Sequence, residues 1–179
     1  IFISGIAGFL GSHLADAFIE EGHHVVGCDS LIGGELDNVP VDAEFYQYDC
    51  CFRNSMLKIT QGCDLVYHTA ATAYEGLSVF SPHLITQNIV TGSVSLFSAA
   101  IQNKVKRIIY CSSMARYGTN KIPFKENLIP APQDPYGIAK VAAENILKNL
   151  CEVHGVEYVI AVPHNIIGPR QKYDDPYRN

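Results

Sequence analysis

Short apolar runs alternate with longer amphipathic stretches along this chain. Residues 1–4 form an apolar, β-branched run that reads as a buried strand. Gly5-Ile6-Ala7-Gly8-Phe9-Leu10-Gly11 follows, and residues 12–19 then repeat their apolar positions with helical period. Residues 24–28 predict a second strand ending at Asp29, and residues 43–48 a third ending at Asp49. A short helix is predicted over 54–60, a fourth strand over 63–68, and a long helix over 84–103. Residues 105–111 predict a fifth strand that ends at Ser112-Ser113. A Pro-rich loop covers 122–135, where Asp134 and Pro135 supply a cap and a first-turn proline for a helix over 135–154. Residues 156–162 predict a sixth strand, ending at Pro163-His164-Asn165. Strands alternating with helices predict an α/β fold: a doubly wound parallel sheet with helices on both faces. Ligands of such sheets sit at the C-terminal strand ends. The glycine turn, Asp29, Asp49, Ala70, Ser113 and Asn165 all fall at those ends, which predicts a single site.

The first βα unit suggests what that site holds. Its glycines permit positive φ and close backbone approach. The start of the following helix offers free N–H groups and a positive dipole end to a pyrophosphate. Asp29, at the end of the second strand, can accept hydrogen bonds from both adenosine ribose hydroxyls and would repel a 2′-phosphate. Strand, glycine turn, helix, strand and Asp together predict dinucleotide binding, with NAD preferred over NADP.

Composition narrows the remaining choices. The 179 residues suffice for one domain with a sizeable core. A net charge of −5 without a basic run argues against nucleic acid as a partner. No apolar stretch reads as long enough to cross a membrane, and no leader is evident. The six cysteines, Cys28, Cys50, Cys51, Cys63, Cys111 and Cys151, lack metal-ligand spacing, and the seven histidines form no HExxH pattern, so no metal is expected. Adjacent Cys50 and Cys51 suit no ordinary disulfide, and the expected compartment is the reducing cytoplasm. The chain starts inside a strand without Met and stops at residues 174–179 without closing a unit. The expectation is a fragment, with much more missing behind than in front.

Tyr136-Gly137-Ile138-Ala139-Lys140 puts a phenol and an ammonium one helical turn apart on one face. A phenol with its ordinary pKa near 10 is a poor base at neutral pH, and a nearby cation favours the phenolate. Moving that pKa to about 7 would take roughly 4 kcal/mol of differential stabilisation.

These landmarks, taken in order, resemble the extended short-chain dehydrogenase/reductases, within them the NAD-dependent nucleotide-sugar epimerase/dehydratase family. The matching residues are Gly5, Gly8 and Gly11 with Phe9, then Asp29, Asp49 and His68-Thr69-Ala70-Ala71. They continue with Ser112-Ser113 before Tyr117-Gly118, Tyr136 with Lys140, and Asn165 with Gly168-Pro169-Arg170. The resemblance implies one Rossmann-type NAD-binding domain over 1–179, with most of the substrate-binding part absent. It implies Gly5, Gly8, Phe9, Leu10 and Gly11 at the pyrophosphate, Asp29 and Ser30 at the adenosine ribose, and Asp49 with Cys50 near the adenine. Ala70 and Ala71 would line the dinucleotide, and Pro163 would lie near the nicotinamide. Lys140 would hold the nicotinamide ribose and tune Tyr136, while Ser113 and Asn165 would touch the sugar nucleotide. In that family the two long helices pair across a two-fold axis into a four-helix bundle, which implies a homodimer.

One segment discriminates within the family. The 4,6-dehydratases carry Thr-Asp-Glu after the fifth strand, where this chain has Ser113-Met114-Ala115. Met and Ala exchange no protons, so water elimination lacks its catalysts. Residues 111–118 and 163–171 instead resemble the UDP-glucose/UDP-galactose 4-epimerase group, which implies a UDP-hexose substrate. Two positions depart from the resembled pattern. Val162 stands where an Arg is common, and Ile89 where an Asn precedes the helix glycine Gly92 by three residues; Asn88 is one place off. A reductase or dehydrogenase with net redox, and a non-catalytic dinucleotide-binding module, remain as alternatives.

Overall fold

Among the described residues, six parallel strands form one sheet: β1 (Phe2–Ser4), β2 (Val26–Cys28), β3 (Glu44–Tyr46), β4 (Leu65–His68), β5 (Arg107–Cys111) and β6 (Glu157–Ala161). Their spatial order is β3-β2-β1-β4-β5-β6. The computed structural model describes residues 1–172; the expected abrupt end at residues 174–179 lies outside the described residues. Winding runs from β1 out to β3, then crosses back to β4 and on to β6. The reversal lies between β1 and β4, where Ser4 pairs in register with His68. A reversal of this kind opens a crevice at the carboxyl ends of the strands.

Alternation along β1 explains why it lies at the centre. Phe2 packs with Val66, Leu96 and Phe97 in one core cluster, while Ile3 packs with Ile6, Ala15 and Val25 in another. Both side chains are fully buried, each worth about 1.5–3 kcal/mol of hydrophobic stabilisation. Such a strand is apolar on both faces, as parallel sheets covered by helices require.

The helices are α1 (Phe9–Glu20), α2 (Arg53–Ile59), α3 (Glu75–Ser78), α4 (Pro82–Thr86), α5 (Gly92–Gln102) and α6 (Pro135–His154). A wide π turn, Gln87–Thr91, joins α4 to α5 in one continuous rod, and the Gly92 N–H reaches back to the Gln87 carbonyl. As the sequence predicts, Asp134 caps α6, its Oδ1 accepting from the Gly137 N–H at 2.8 Å, with Pro135 at the first position. Left-handed Gly155 (φ 69) ends that helix.

Several boundaries differ from the sequence reading. The strands are shorter by one or two residues at their ends, where ladder partners run out. Helix α1 starts at Phe9, so part of the glycine turn is already its first turn. Short α3 and the 3₁₀ turns Leu36–Asn38 and Met114–Tyr117 are too brief to show periodicity in a sequence. The rod Pro82–Gln102 is, by length and composition alone, long and apolar enough to cross a membrane, which corrects the reading that no stretch approaches that length. Its residues Ile85, Ile89, Leu96 and Phe97 are buried, while Leu84 is exposed.

Candidate active site

The glycine turn brings three backbones together. Gly5 has φ +75, and a Cβ there would lie 2.8 Å from the Ala70 nitrogen. A Cβ on Gly11 would run into the Gly5 carbonyl. Neither position accepts a side chain, so the end of β1, the start of α1 and the segment after β4 close on one another. Gly8 precedes α1 without a side-chain cap among the described residues, and no acidic residue stands in the helix's first turn. That N-terminus therefore keeps its N–H groups and positive field for an anion.

Asp29 ties the turn to the loop after β2. Its Oδ2 accepts from the Ala7 N–H at 3.1 Å and its Oδ1 from Leu31 at 2.8 Å. Burial pushes its carboxyl above the usual value, while the backbone donors Leu31, Ala7 and Ser30 pull it back. Each oxygen retains acceptor capacity for a further donor. At the end of β3, Asp49 Oδ1 accepts from the Cys51 N–H at 2.8 Å. All six thiols are free, although Cys28 Sγ and Cys50 Sγ stand 3.9 Å apart.

His68 closes the crevice floor. Its Nδ1 bonds Ser4 Oγ at 2.6 Å and its Nε2 bonds Ser93 Oγ at 2.8 Å, joining β1, β4 and α5. Complete burial, with a smaller push from the Lys140 charge, lowers its pKa to about 3, so the ring is neutral. Ser4 Oγ in turn accepts from the Ala70 N–H at 3.3 Å.

Tyr136 and Lys140 share the buried face of α6, with 6% and 2% of their surface exposed. Lys140 Nζ donates to the Cys111 carbonyl at 2.8 Å and stands 5.0 Å from the Tyr110 ring centre and 5.9 Å from that of Tyr136. Burial lowers the Lys140 pKa. The Tyr136 phenol is pushed up to about 12, chiefly by burial, with Cys111 and the Glu75 and Asp134 carboxylates adding and a Ser113 hydrogen bond opposing. The sequence reading has the ammonium lower this phenol. Here burial dominates, Ser113 is the group that opposes it, and the ammonium is engaged by the Cys111 carbonyl. Ser113 caps the Met114–Tyr117 turn, its Oγ accepting from the Ala115 N–H at 3.2 Å.

A cavity of about 570 Å³ collects these groups. Gly5, Gly8, Phe9, Leu10, Gly11, Asp29, Ser30, Asp49, Cys50, Ala70 and Ala71 line it, together with Ser113, Tyr136, Lys140, Pro163 and Asn165. Every residue singled out for the site from the sequence thus meets one space. Thr72, Tyr74, Glu75 and Gln171 also line it and had no signal of their own, and so does Asn88, which the sequence placed one position off the resembled pattern. Asn88 Nδ2 donates to Thr72 Oγ1 at 2.8 Å, whereas Ile89 is buried beside Ile85, Tyr136 and Ala139.

Comparison with known proteins gives a consistent picture. The family model described as "NAD dependent epimerase/dehydratase family" matches residues 1–178. A UDP-glucose 4-epimerase of Streptomyces lividans is 32% identical over 170 residues, 93% of this chain and 52% of that protein. GDP-mannose 3,5-epimerase 1 of Oryza sativa subsp. japonica is 34% identical over 177 residues, 94% of this chain and 47% of that protein. Among solved structures, the UDP-glucose 4-epimerase of Thermotoga maritima with UDP-glucose superimposes with a TM-score of 0.95 at 34% identity, covering 98% of this chain and 59% of that one. The chain spans about half the length of the curated relatives it matches.

Proposed function

The chain belongs to the NAD dependent epimerase/dehydratase family, and from that membership we propose that the full-length protein is a nucleotide-sugar 4-epimerase, interconverting UDP-glucose and UDP-galactose or their N-acetyl forms through a 4-keto sugar. The observation that carries this reading is that Tyr136, Lys140 and Ser113 line the same cavity as an uncapped helix N-terminus and Asp29.

The residues present fit NAD. The bare turn Gly5 to Gly11 takes the pyrophosphate, Asp29 and Ser30 the adenosine ribose, Asp49 and Cys50 the adenine, and Ala70 and Ala71 the path between. Lys140 holds the nicotinamide ribose, with Pro163 beside the ring. Bound NAD supplies a reversible store for the hydride of the sugar C4, so no net redox occurs. Tyr136, as phenolate, takes the proton of the 4-hydroxyl directly or through Ser113, and returns it at the end. The Lys140 ammonium and the Ser113 hydroxyl both favour that phenolate against the effect of burial. Asn165 holds the sugar nucleotide. Met114 and Ala115 exchange no protons, which leaves epimerisation and removes water elimination.

The 34% identity to a GDP-mannose 3,5-epimerase favours a second reading, in which the same groups act on a GDP-hexose. The test is to incubate the full-length protein with UDP-galactose, without added NAD, and follow the sugar by NMR. UDP-glucose without net NADH supports the first reading. Conversion of GDP-mannose alone supports the second, and stoichiometric NADH points to a reductase or dehydrogenase. No conversion of UDP-hexoses, their N-acetyl forms or GDP-mannose, with NAD also added, leaves a binding module and overturns the proposal. The partner read from the sequence, a second copy through a four-helix bundle, is supported by Leu84 and Ile138, exposed on the adjacent helices α4 and α6. The six free thiols support a reducing, cytoplasmic setting.

A further inference from the structure

Ser113 needs something to hold it against Tyr136, and the residues on either side of it share one anchor. Ser112 Oγ donates to Glu144 Oε1. Arg116 Nη2 lies 3.2 Å from Glu144 Oε2. Glu144 belongs to α6, one turn beyond Lys140 and two beyond Tyr136. The three side chains are buried: Glu144 is 0% exposed, Ser112 3% and Arg116 8%. Stability alone does not account for the arrangement. A buried ion pair loses more on leaving water than an apolar pair of similar volume, and usually gains little net. This one is also incompletely bonded, since neither Arg116 Nε nor Glu144 Oε2 has an aligned hydrogen-bond partner among the described residues. What it does achieve is geometric. It pins the Ser113 turn from both sides to the helix that carries the acid–base pair.

We propose that Glu144, acting through Ser112 and Arg116, is a positioning residue that keeps Ser113 within hydrogen-bonding range of Tyr136. The inference rests on the reading of Tyr136 as the acid–base group. Lys140 from α6, Asp134 at its cap, Glu75 from α3, and Cys111 and Tyr110 from β5 also face the Tyr136 phenol, and none of them is replaced in the variants below.

The experiment uses the NAD-loaded full-length protein. Tyr136 is titrated by tyrosinate absorbance, as the difference from the matching Tyr136→Phe protein. Removing Glu144 alone strands the Arg116 charge and is expected to impair folding. The test variant is therefore the apolar double replacement Arg116→Met/Glu144→Leu. Expected is a protein that melts near wild type and keeps its NAD, but whose Tyr136 titrates higher, by the same shift that Ser113→Ala produces. Adding Ser113→Ala to the double variant should give no further shift. Turnover should fall roughly ten- to a hundredfold with KM little changed, as for a misplaced reacting group. Ser112→Ala, which leaves the ion pair intact, should shift Tyr136 in the same direction but less, and serves if the double variant does not fold. An unchanged Tyr136 titration, or a full additional Ser113→Ala shift in the double variant, overturns the proposal. The titration needs no sugar, so a wild-type protein that converts none would sink the proposed reaction and still leave this inference decided.

Discussion

Tyr136 sits where two requirements conflict. Burial against Ile85 and Ile89 shields the Tyr136 ring, and the same burial pushes the phenol up to about 12. A base for neutral pH needs that shift reversed, and Lys140, Ser113 and a bound cationic ring are the groups able to do it. Replacing Tyr136 with Phe is expected to lower turnover by roughly 10²–10⁴-fold while NAD stays bound; near-normal turnover would remove Tyr136 from its role. His68 carries a prediction about stability. Its pKa in the fold, about 3, lies below its ordinary 6.5, so the unfolded chain takes up the proton first. Stability from this ring is fully present above pH 6.5 and is lost as pH falls through about 3, up to about 5 kcal/mol in all. His68→Gln can still bond Ser4 and Ser93 but does not titrate. Its urea midpoint should change less with pH across that window than the wild type's, and an equal slope would refute the assignment. The sequence showed that Tyr136 and Lys140 share one face of α6, because residues four apart in a helix do so. It did not reveal the weight of burial on Tyr136, which depends on α4 and the π turn packing over the ring.

Local chemistry explains which elements could be read in advance. Helix α6 carries its own start signal in Asp134 and Pro135 and its stop signal in Gly155, and the structure begins and ends it there. Asp134→Ala should cost about 1 kcal/mol and lower the melting temperature by roughly 2–4 °C, measured by thermal denaturation. The turn before α1 was equally legible, since its glycines leave no room for alternatives. Gly11→Ala forces a methyl into the Gly5 carbonyl, so purified protein should lose its NAD and melt lower than wild type. Retention of NAD at the wild-type level would contradict the close approach described here. Helix α3 has only four residues, fewer than a periodic signal needs, although Glu75 within it reaches the cavity. The Arg116–Glu144 pair was invisible for a different reason. Charged residues read as surface in a sequence, and only the fold shows that these two meet inside.

At the scale of the whole molecule, residues far apart in the chain form one site because most follow the C-terminal ends of parallel strands, around the crevice between β1 and β4, and α6 lays Tyr136 and Lys140 against it. That rule made the site legible before any contact was known. Under the proposed reading, Asp29 in its wall favours NAD over NADP. NAD at a hundredfold its Kd should stabilise the protein by about 2.7 kcal/mol, a rise of roughly 5–10 °C in melting temperature. NADP at equal concentration should do much less, and Asp29→Asn should narrow the gap; equal shifts with the wild type would remove Asp29 from the 2′ position. The π turn bears on how this chain is measured against its relatives. Counting back from Gly92, the expected amide falls on Ile89 and looks lost. A π turn, however, contains one residue more than an α turn, so positions before it are advanced by one step around the helix axis. Asn88, four before Gly92, then occupies the angular place that three before would hold in an uninterrupted helix, and its side chain does reach the cavity. The departure seen in the letters is thus offset in space by the turn, and deleting one residue between Asn88 and Gly92 should leave the Asn88 amide facing the cavity.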